Sequence, residues 1–310
     1  MAENYITIRN EINSITETIE SLVHGSIEIR QTNNKKFIYV HFRTSGRLQT
    51  KYVGEFSDEL FNLIQRNNLK VRVLKKRLKE LRKRTDSLNY KPKNLNEKVK
   101  LNIDLASRNL VDSIYKQSKL EGIFITYAQI KTLLNGGRVN DMNALDVQKI
   151  LNLKHAWEFI LDKDVITYPS NFSILCQINA LVQESISYDA GKIRKVAVTI
   201  SGSTYLPPLP FENQIKENIE TIIKNKSFSD VEKAARLISY LMKVQTFLDG
   251  NKRTAVIFGN HFLISKGLGI IVVPVDKLDE YRDLLLEYYE NKSEKIINFL
   301  IENCYLELNQ

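Results

Sequence analysis

Apolar residues recur along most of this chain at helical spacing, interrupted near the N-terminus by one interval of strict alternation. Ile12, Ile15, Ile19 and Leu22 lie three or four residues apart and predict the buried face of a first helix. Three short strands are predicted after it, at 26–30, 36–43 and 47–53. The middle one alternates through Phe37-Ile38-Tyr39-Val40-His41-Phe42, and the turns Asn33-Asn34 and Thr44-Ser45-Gly46 separate the three, as in an antiparallel ribbon. Ser57, with Asp58 and Glu59 behind it, opens a long helix in which Val71, Leu74, Leu78 and Leu81 form one stripe.

Beyond residue 95 the pattern is almost entirely helical, with elements predicted at 96–117, 127–134, 144–161, 171–183, 211–225, 230–243, 252–266, 277–290 and 293–302. The exception is 196–200, where Val196, Val198 and Ile200 alternate and Ser201-Gly202-Ser203-Thr204 turns the chain, which predicts a hairpin arm. The predicted fold class is mainly α: an all-helical core with a β-hairpin flap, preceded by a small α+β N-terminal domain.

Charge sharpens the division. Residues 1–100 hold 21 Lys/Arg against 11 Asp/Glu, a balance of +10, while the remainder is close to neutral at −1. The expected domains are therefore a basic unit over 1–90 and a second over 95–310, joined through the polar, proline-containing stretch 88–94. Arg72, Lys75, Lys76, Arg77, Lys79, Arg82, Lys83 and Arg84 fill the faces of the long helix away from its stripe. Three readings of that helix stay open. It contacts nucleic acid through phosphates, with Tyr39, Phe42 and Tyr52 stacking on bases; it binds an acidic protein or pairs as a homodimer; or it is simply solvated.

No run of 18 apolar residues and no signal-like N-terminus is present, so no membrane partner is expected. Cys176 and Cys304 are far apart and outside any CxxC spacing, as expected for thiols of a reducing, cytoplasmic protein.

The candidate chemistry is concentrated in Phe247-Leu248-Asp249-Gly250-Asn251-Lys252-Arg253-Thr254. The flanking helices place this segment in a turn that opens the 252–266 helix. Gly250 and Asn251 tolerate the left-handed conformation, and consecutive N–H groups at a helix N-terminus make a nest for an anion. Lys252 and Arg253 add formal charge, and Asp249 is a candidate ligand for Mg²⁺ on phosphate oxygens. Four histidines are present: His24 and His41 lie in the basic unit, His155 on an amphipathic helix, and His261 ten residues beyond Asn251, roughly 15 Å along the same helix.

These residues resemble the Fic (Fido) family signature, His-Pro-Phe-x-(Asp/Glu)-Gly-Asn-(Gly/Lys)-Arg, matched here from Phe247 onward. Tyr188 to Arg194, Val196 to Ser203 and Leu206 to Pro210 are similar to the family's stretch before the motif, which includes a target-docking flap with Val196, Val198 and Ile200 on its arm. Ser118-Lys119-Leu120-Glu121-Gly122-Ile123 is similar to the family's inhibitory segment. The resemblance covers about 95–291. It implies ATP or another nucleoside triphosphate with Mg²⁺ as cofactors, Asp249 as metal ligand, Gly250 and Asn251 as anion hole, Lys252 and Arg253 on phosphates, Glu121 as regulatory residue and a protein hydroxyl as target.

Three positions depart from the pattern. Gln245 stands at the general base, Thr246 at the proline and Val256 at a second arginine. An amide cannot take the proton from an attacking hydroxyl, and loss of a general base costs roughly 10²–10⁴ in rate. The sequence therefore favours a nucleotide- and partner-binding protein without ordinary AMPylation. A transferase that works without the histidine is the alternative, since phosphoryl transfer rests largely on positioning and electrostatics.

Overall fold

In a computed structural model of the 310-residue chain, residues 2–33, 35–44, 47–87, 95–140 and 142–307 are described. The chain divides into two compact units, Met1–Lys91 and Pro92–Gln310. The expected linker at 88–94, and Asn34, Ser45 and Gly46 of the expected turns, lie outside the described residues.

The first unit runs α1 (Ala2–Ser21), β1 (Ser26–Thr32), β2 (Lys35–Thr44), β3 (Arg47–Glu55) and α2 (Asp58–Ser87). The strands form one antiparallel sheet in the order β1-β2-β3, with a register shift between Ile38 and Tyr39. Ile38 and Val40 are buried against Ile64 of α2, together with Ile27, Phe42, Phe56 and Phe61. A separate cluster joins Ile19 of α1 to Val71 and Leu78 of α2, so the predicted stripes of both helices face each other. Asn67 and Asn68 of α2 hydrogen-bond the backbone of Val23 and Gly25 and fix the α1–β1 connection on α2.

The second unit contains α3 (Glu97–Arg108), α4 (Leu110–Leu120), α5 (Tyr127–Leu134), α6 (Ala144–Leu161), α7 (Phe172–Val182), α8 (Glu212–Lys224), α9 (Asp230–Val244), α10 (Asn251–Lys266), α11 (Leu278–Tyr289) and α12 (Lys295–Asn303). A two-residue pairing of β4 (Ile270–Ile271) with β5 (Tyr305–Leu306) closes the C-terminal end. The helix expected over 96–117 is broken. Asn109 donates its side-chain amide to the Leu105 carbonyl, ends α3 and begins α4, which continues to Leu120. At the start of α9 a capping box is half formed: Ser229 accepts from the Glu232 N–H, but the Glu232 carboxylate pairs with Arg236 one turn on, at 2.9 Å.

At the centre lies α10, buried continuously from Arg253 to Ile264 and packed against α9, α7, α6 and α3. An all-apolar helix would do for packing, but Asn260 is also needed there. Its amide donates to Val256 and Ile271 and accepts from the Ile271 N–H, which ties β4 to the helix. His261 sits in the same interior with Ser170 Oγ at 2.8 Å, and burial lowers its pKa to about 4. It is a neutral core residue, as its distance along the helix from the motif requires. Cys176 and Cys304 are not in a disulfide, and burial pushes the Cys304 thiol up to about 12. Among the described residues no helix is long and apolar enough to cross a membrane.

Close approach of α9 and α10 depends on Gly259: a Cβ there would lie 2.4 Å from Ile238 Cγ1. Gly259→Ala is therefore expected to lower stability by about 1–3 kcal/mol, measured by urea unfolding, and an unchanged midpoint would show that the helices can separate without cost.

Candidate functional site

The turn between α9 and α10 is built by two left-handed residues. Gln245 ends α9 at φ 49, ψ 61, and Gly250 begins α10 at φ 75. A side chain at 250 would strain the backbone and also collide with α7, since a Cβ would lie 2.5 Å from Gln183 Nε2 and 3.0 Å from Val182 Cγ1. The first helical hydrogen bond runs from the Thr254 N–H to the Gly250 carbonyl at 2.9 Å. The helix itself offers no partners to the N–H groups before it.

Asn251, expected in the anion hole, has its side chain committed to the turn. Nδ2 donates to the Phe247 carbonyl at 2.8 Å and to Gln245 Oε1 at 3.0 Å, and Oδ1 accepts from the Phe247 N–H at 2.9 Å. Only its main chain remains to face a ligand. Gln245 is spent in the same way, because its Nε2 donates to the Met242 carbonyl while its oxygen receives Asn251. Thr246, in the proline position, is buried with its hydroxyl unpaired.

Asp249 lies half-exposed at the mouth. It accepts from Gln183 Nε2 at 3.0 Å and from Arg253 Nη2 at 3.3 Å, and its backbone carbonyl receives Asn179. Burial opposes its ionisation, but the charge of Arg253, the Gly250 N–H, Gln183 and Lys149 outweigh that and hold the carboxyl below the usual range. Arg253 is 2% exposed, with Nε 3.2 Å from the Glu121 carboxylate. That contact is an ion pair without hydrogen-bond alignment, and Nη1 has no partner at all.

Glu121 is placed by a helix stop. The Ile123 N–H bonds the Ser118 carbonyl and the Gly122 N–H bonds Lys119, with Gly122 at φ +78, the Schellman arrangement. One turn earlier Gln117 accepts from Trp157 Nε1 at 2.9 Å inside the protein, anchoring α4 on α6. The expected pairing residue, an arginine at 256, is absent, and Val256 is buried. Glu121 instead reaches the motif's own Arg253.

A cavity of about 190 Å³ lies over this turn, lined by Glu121, Gln245, Asp249, Gly250, Asn251 and Lys252 on one side and by 198–201 on the other. Arg253 is not on its wall; it lies behind Glu121 and Asp249, which are. Val198 and Ile200 thus face the cavity, whereas Val196 is exposed outside it. The expected β-hairpin arm carries no strand pairing. Residues 196–200 run without regular structure to a turn closed by the Ser203 N–H on the Ile200 carbonyl.

What holds that segment is Arg194, which ends the first of the family-like stretches before the motif. Buried, it donates Nε to the Gln245 carbonyl at 2.6 Å, Nη1 to Val196 and Nη2 to Pro207 and Pro208. Desolvation lowers its pKa, yet a guanidinium stays charged. Nothing in the sequence marked it as the residue that gathers these carbonyls. Asn179 and Gln183 did carry a sequence signal, being polar residues four apart on the apolar α7, and both reach the turn. His155 lies 3.6 Å from Glu184 and is not among the cavity residues. Among the described residues no group of three or more His, Cys, Asp or Glu that could hold a metal is present.

With this geometry established, the comparisons with known proteins agree on one family. Residues 169–263 match the model of the Fic/DOC family, a span from the start of α7 through most of α10. The matched segment lies wholly within the second unit. Two solved structures share the fold: a Fic domain containing signaling protein from Bacteroides thetaiotaomicron (TM-score 0.53, 18% identity, 67% of this chain and 87% of that one) and a Fic family protein from Desulfovibrio desulfuricans (TM-score 0.52, 15% identity, 68% and 73%). A protein adenylyltransferase Fic of Aedes aegypti is 23% identical over 201 residues, 62% of this chain, and the match spans 40% of that relative's length. The chain is thus a Fic-fold protein related at low identity to a protein adenylyltransferase.

Arg194→Met leaves four carbonyls without their donor. It is expected to cost about 2–4 kcal/mol and to speed amide exchange through 196–208 while α11 and α12 keep their protection, read by hydrogen–deuterium exchange. Uniform protection would contradict the clamp.

Proposed function

We propose that the cavity over the α9–α10 turn is a site for the phosphates of a Mg²⁺-bound nucleoside triphosphate, ATP by analogy with the relative, and that this chain binds nucleotide and a protein partner without ordinary AMP transfer. The observation that carries the reading is the state of Arg253. A buried guanidinium with one N–H group unpaired and another poorly aligned on Glu121 is an incomplete anion site.

The residues present fit the metal. Mg²⁺ is commonly held by one or two carboxylates with the remaining positions filled by phosphate oxygens and water, and Asp249 offers one ionised, accessible carboxylate beside the N-terminus of α10. The metal would supply charge neutralisation of the phosphates. Lys252 lines the same cavity and makes no ion pair among the described residues. The N–H groups of the first turn of α10 supply the nest.

Gln245 supports the loss of transfer. It stands where the family's base stands, and both ends of its amide are already hydrogen-bonded within the turn. A target hydroxyl held there would keep its proton. The segment 198–201 on the opposite wall is the reading's docking surface for a protein chain, with the cytoplasm as the compartment that supplies ATP. Glu121 is the regulatory residue in this reading. Its carboxylate occupies the charge of Arg253 that a terminal phosphate would take, so nucleotide and Glu121 compete.

Titration calorimetry with Mg-ATP is expected to show binding that weakens at least tenfold in Asp249→Ala and in Arg253→Ala, and that tightens in Glu121→Gly, with circular dichroism confirming that each variant is folded. Equal affinity in the Asp249 and Arg253 variants would place the nucleotide elsewhere. Weakened binding in Glu121→Gly would make Glu121 a structural support of Arg253 rather than a competitor.

A further inference from the structure

The first unit holds an opening larger than the cavity over the α9–α10 turn, and nothing in the proposed function of the second unit uses it. Between α1, the sheet and the N-terminal half of α2 lies a cavity of about 1330 Å³, and a second of about 600 Å³ continues along the C-terminal half of α2. They share Ile19, Glu20 and Lys75 and so form one groove, running along α2 from Phe61 to Lys83. Its length is roughly 33 Å at the rise of an α-helix.

The floor is apolar: Ile19, Val71 and Leu78 are buried at its base, Leu22 and Phe42 are half-buried, and Ile29 remains 45% exposed. The rim is basic. Lys51, Arg72, Lys75, Lys79, Arg82 and Lys83 are exposed along it and make no ion pair among the described residues; Glu20 is the one acidic residue on either lining. Arg77, by contrast, is paired with Glu11 at 2.7 Å.

We infer that this groove docks an acidic amphipathic helix of another protein, its apolar stripe on the floor and its carboxylates against the rim. Helix-in-groove recognition requires an apolar floor and a complementary rim, and this groove is lined by both. Nucleic acid fits it less well. Phosphates gain nothing from an apolar floor, and the aromatic side chains available for stacking are engaged. Tyr39 packs on Tyr52 at 5.4 Å with Arg30 over its ring at 4.5 Å, Phe37 also packs on Tyr52, and Phe42 belongs to the sheet core. A second copy of the chain would bring another basic rim against this one.

The test is fluorescence anisotropy of the full chain with a labelled peptide of about 18 residues, roughly 27 Å as a helix. Its leucines are spaced three and four apart and glutamates fill its other face. Saturable micromolar binding is expected, weakened at least tenfold by the double variant Lys75→Glu/Lys79→Glu and restored when that variant is offered the same peptide with lysines for glutamates. Ile29→Glu, at an exposed floor position, should weaken binding at high salt as well, where charge is screened. The inference is overturned by any of four results: no saturable binding; equal binding of a peptide with the same residues in scrambled order; tighter binding of a thymidine oligonucleotide that displaces the peptide; or a sedimenting dimer that the peptide cannot dissociate.

Discussion

Everything about the candidate site of the second unit turns on one buried positive charge. Arg253 comes from the first turn of a helix that is otherwise core, and it is 2% exposed. A buried guanidinium is tolerated only with compensating negative charge, and here Glu121 and Asp249 supply it from two different elements. Removing either leaves part of the charge uncompensated, whereas replacing Glu121 with a phosphate conserves the balance. In the proposed reading, structural support and competition with a phosphate are two aspects of that one ion pair. The position of Glu121 follows from it: the αL glycine that stops α4 and the Trp157–Gln117 bond that holds it both serve to bring a carboxylate to Arg253.

A second constraint is the economy of the turn itself. Gln245, Phe247 and Asn251 form a closed set of hydrogen bonds, and Arg194 bonds the outside of that set to the segment over the cavity. The turn is thus held by its own hydrogen bonds, and in the proposed reading that closure preorganises it for a ligand. The same closure engages both ends of the Gln245 amide, its Nε2 on the Met242 carbonyl and its oxygen on Asn251.

Much of this was legible in the sequence. The 3-4 spacing of apolar residues gave helices near their true ends, the alternation at 37–42 gave the sheet, and the residue types of 247–253 marked the turn, because αL-tolerant residues and paired cations follow simple local rules. What was not legible depends on distance through space. That Glu121 meets Arg253 when no arginine stands at 256, that the amide of Asn251 is consumed by its own turn, and that Arg194 fastens four carbonyls are all outcomes of packing between elements far apart in sequence. The break at Asn109 was local but hidden, since a single asparagine inside an apolar repeat does not announce which carbonyl its side chain will take.

The central claim is that the phosphate site is retained while the proton acceptor is missing. Incubating wild type and Gln245→His with Mg²⁺ and α-labelled ATP separates the two directly. The account predicts little or no covalent label on the wild type and a clear but partial gain in the histidine variant, partial because Thr246 and Val256 still differ and a base misplaced by about 1 Å costs roughly 10²-fold. Strong labelling of the wild type that disappears in Asp249→Ala would contradict it and establish a transferase that works without the histidine.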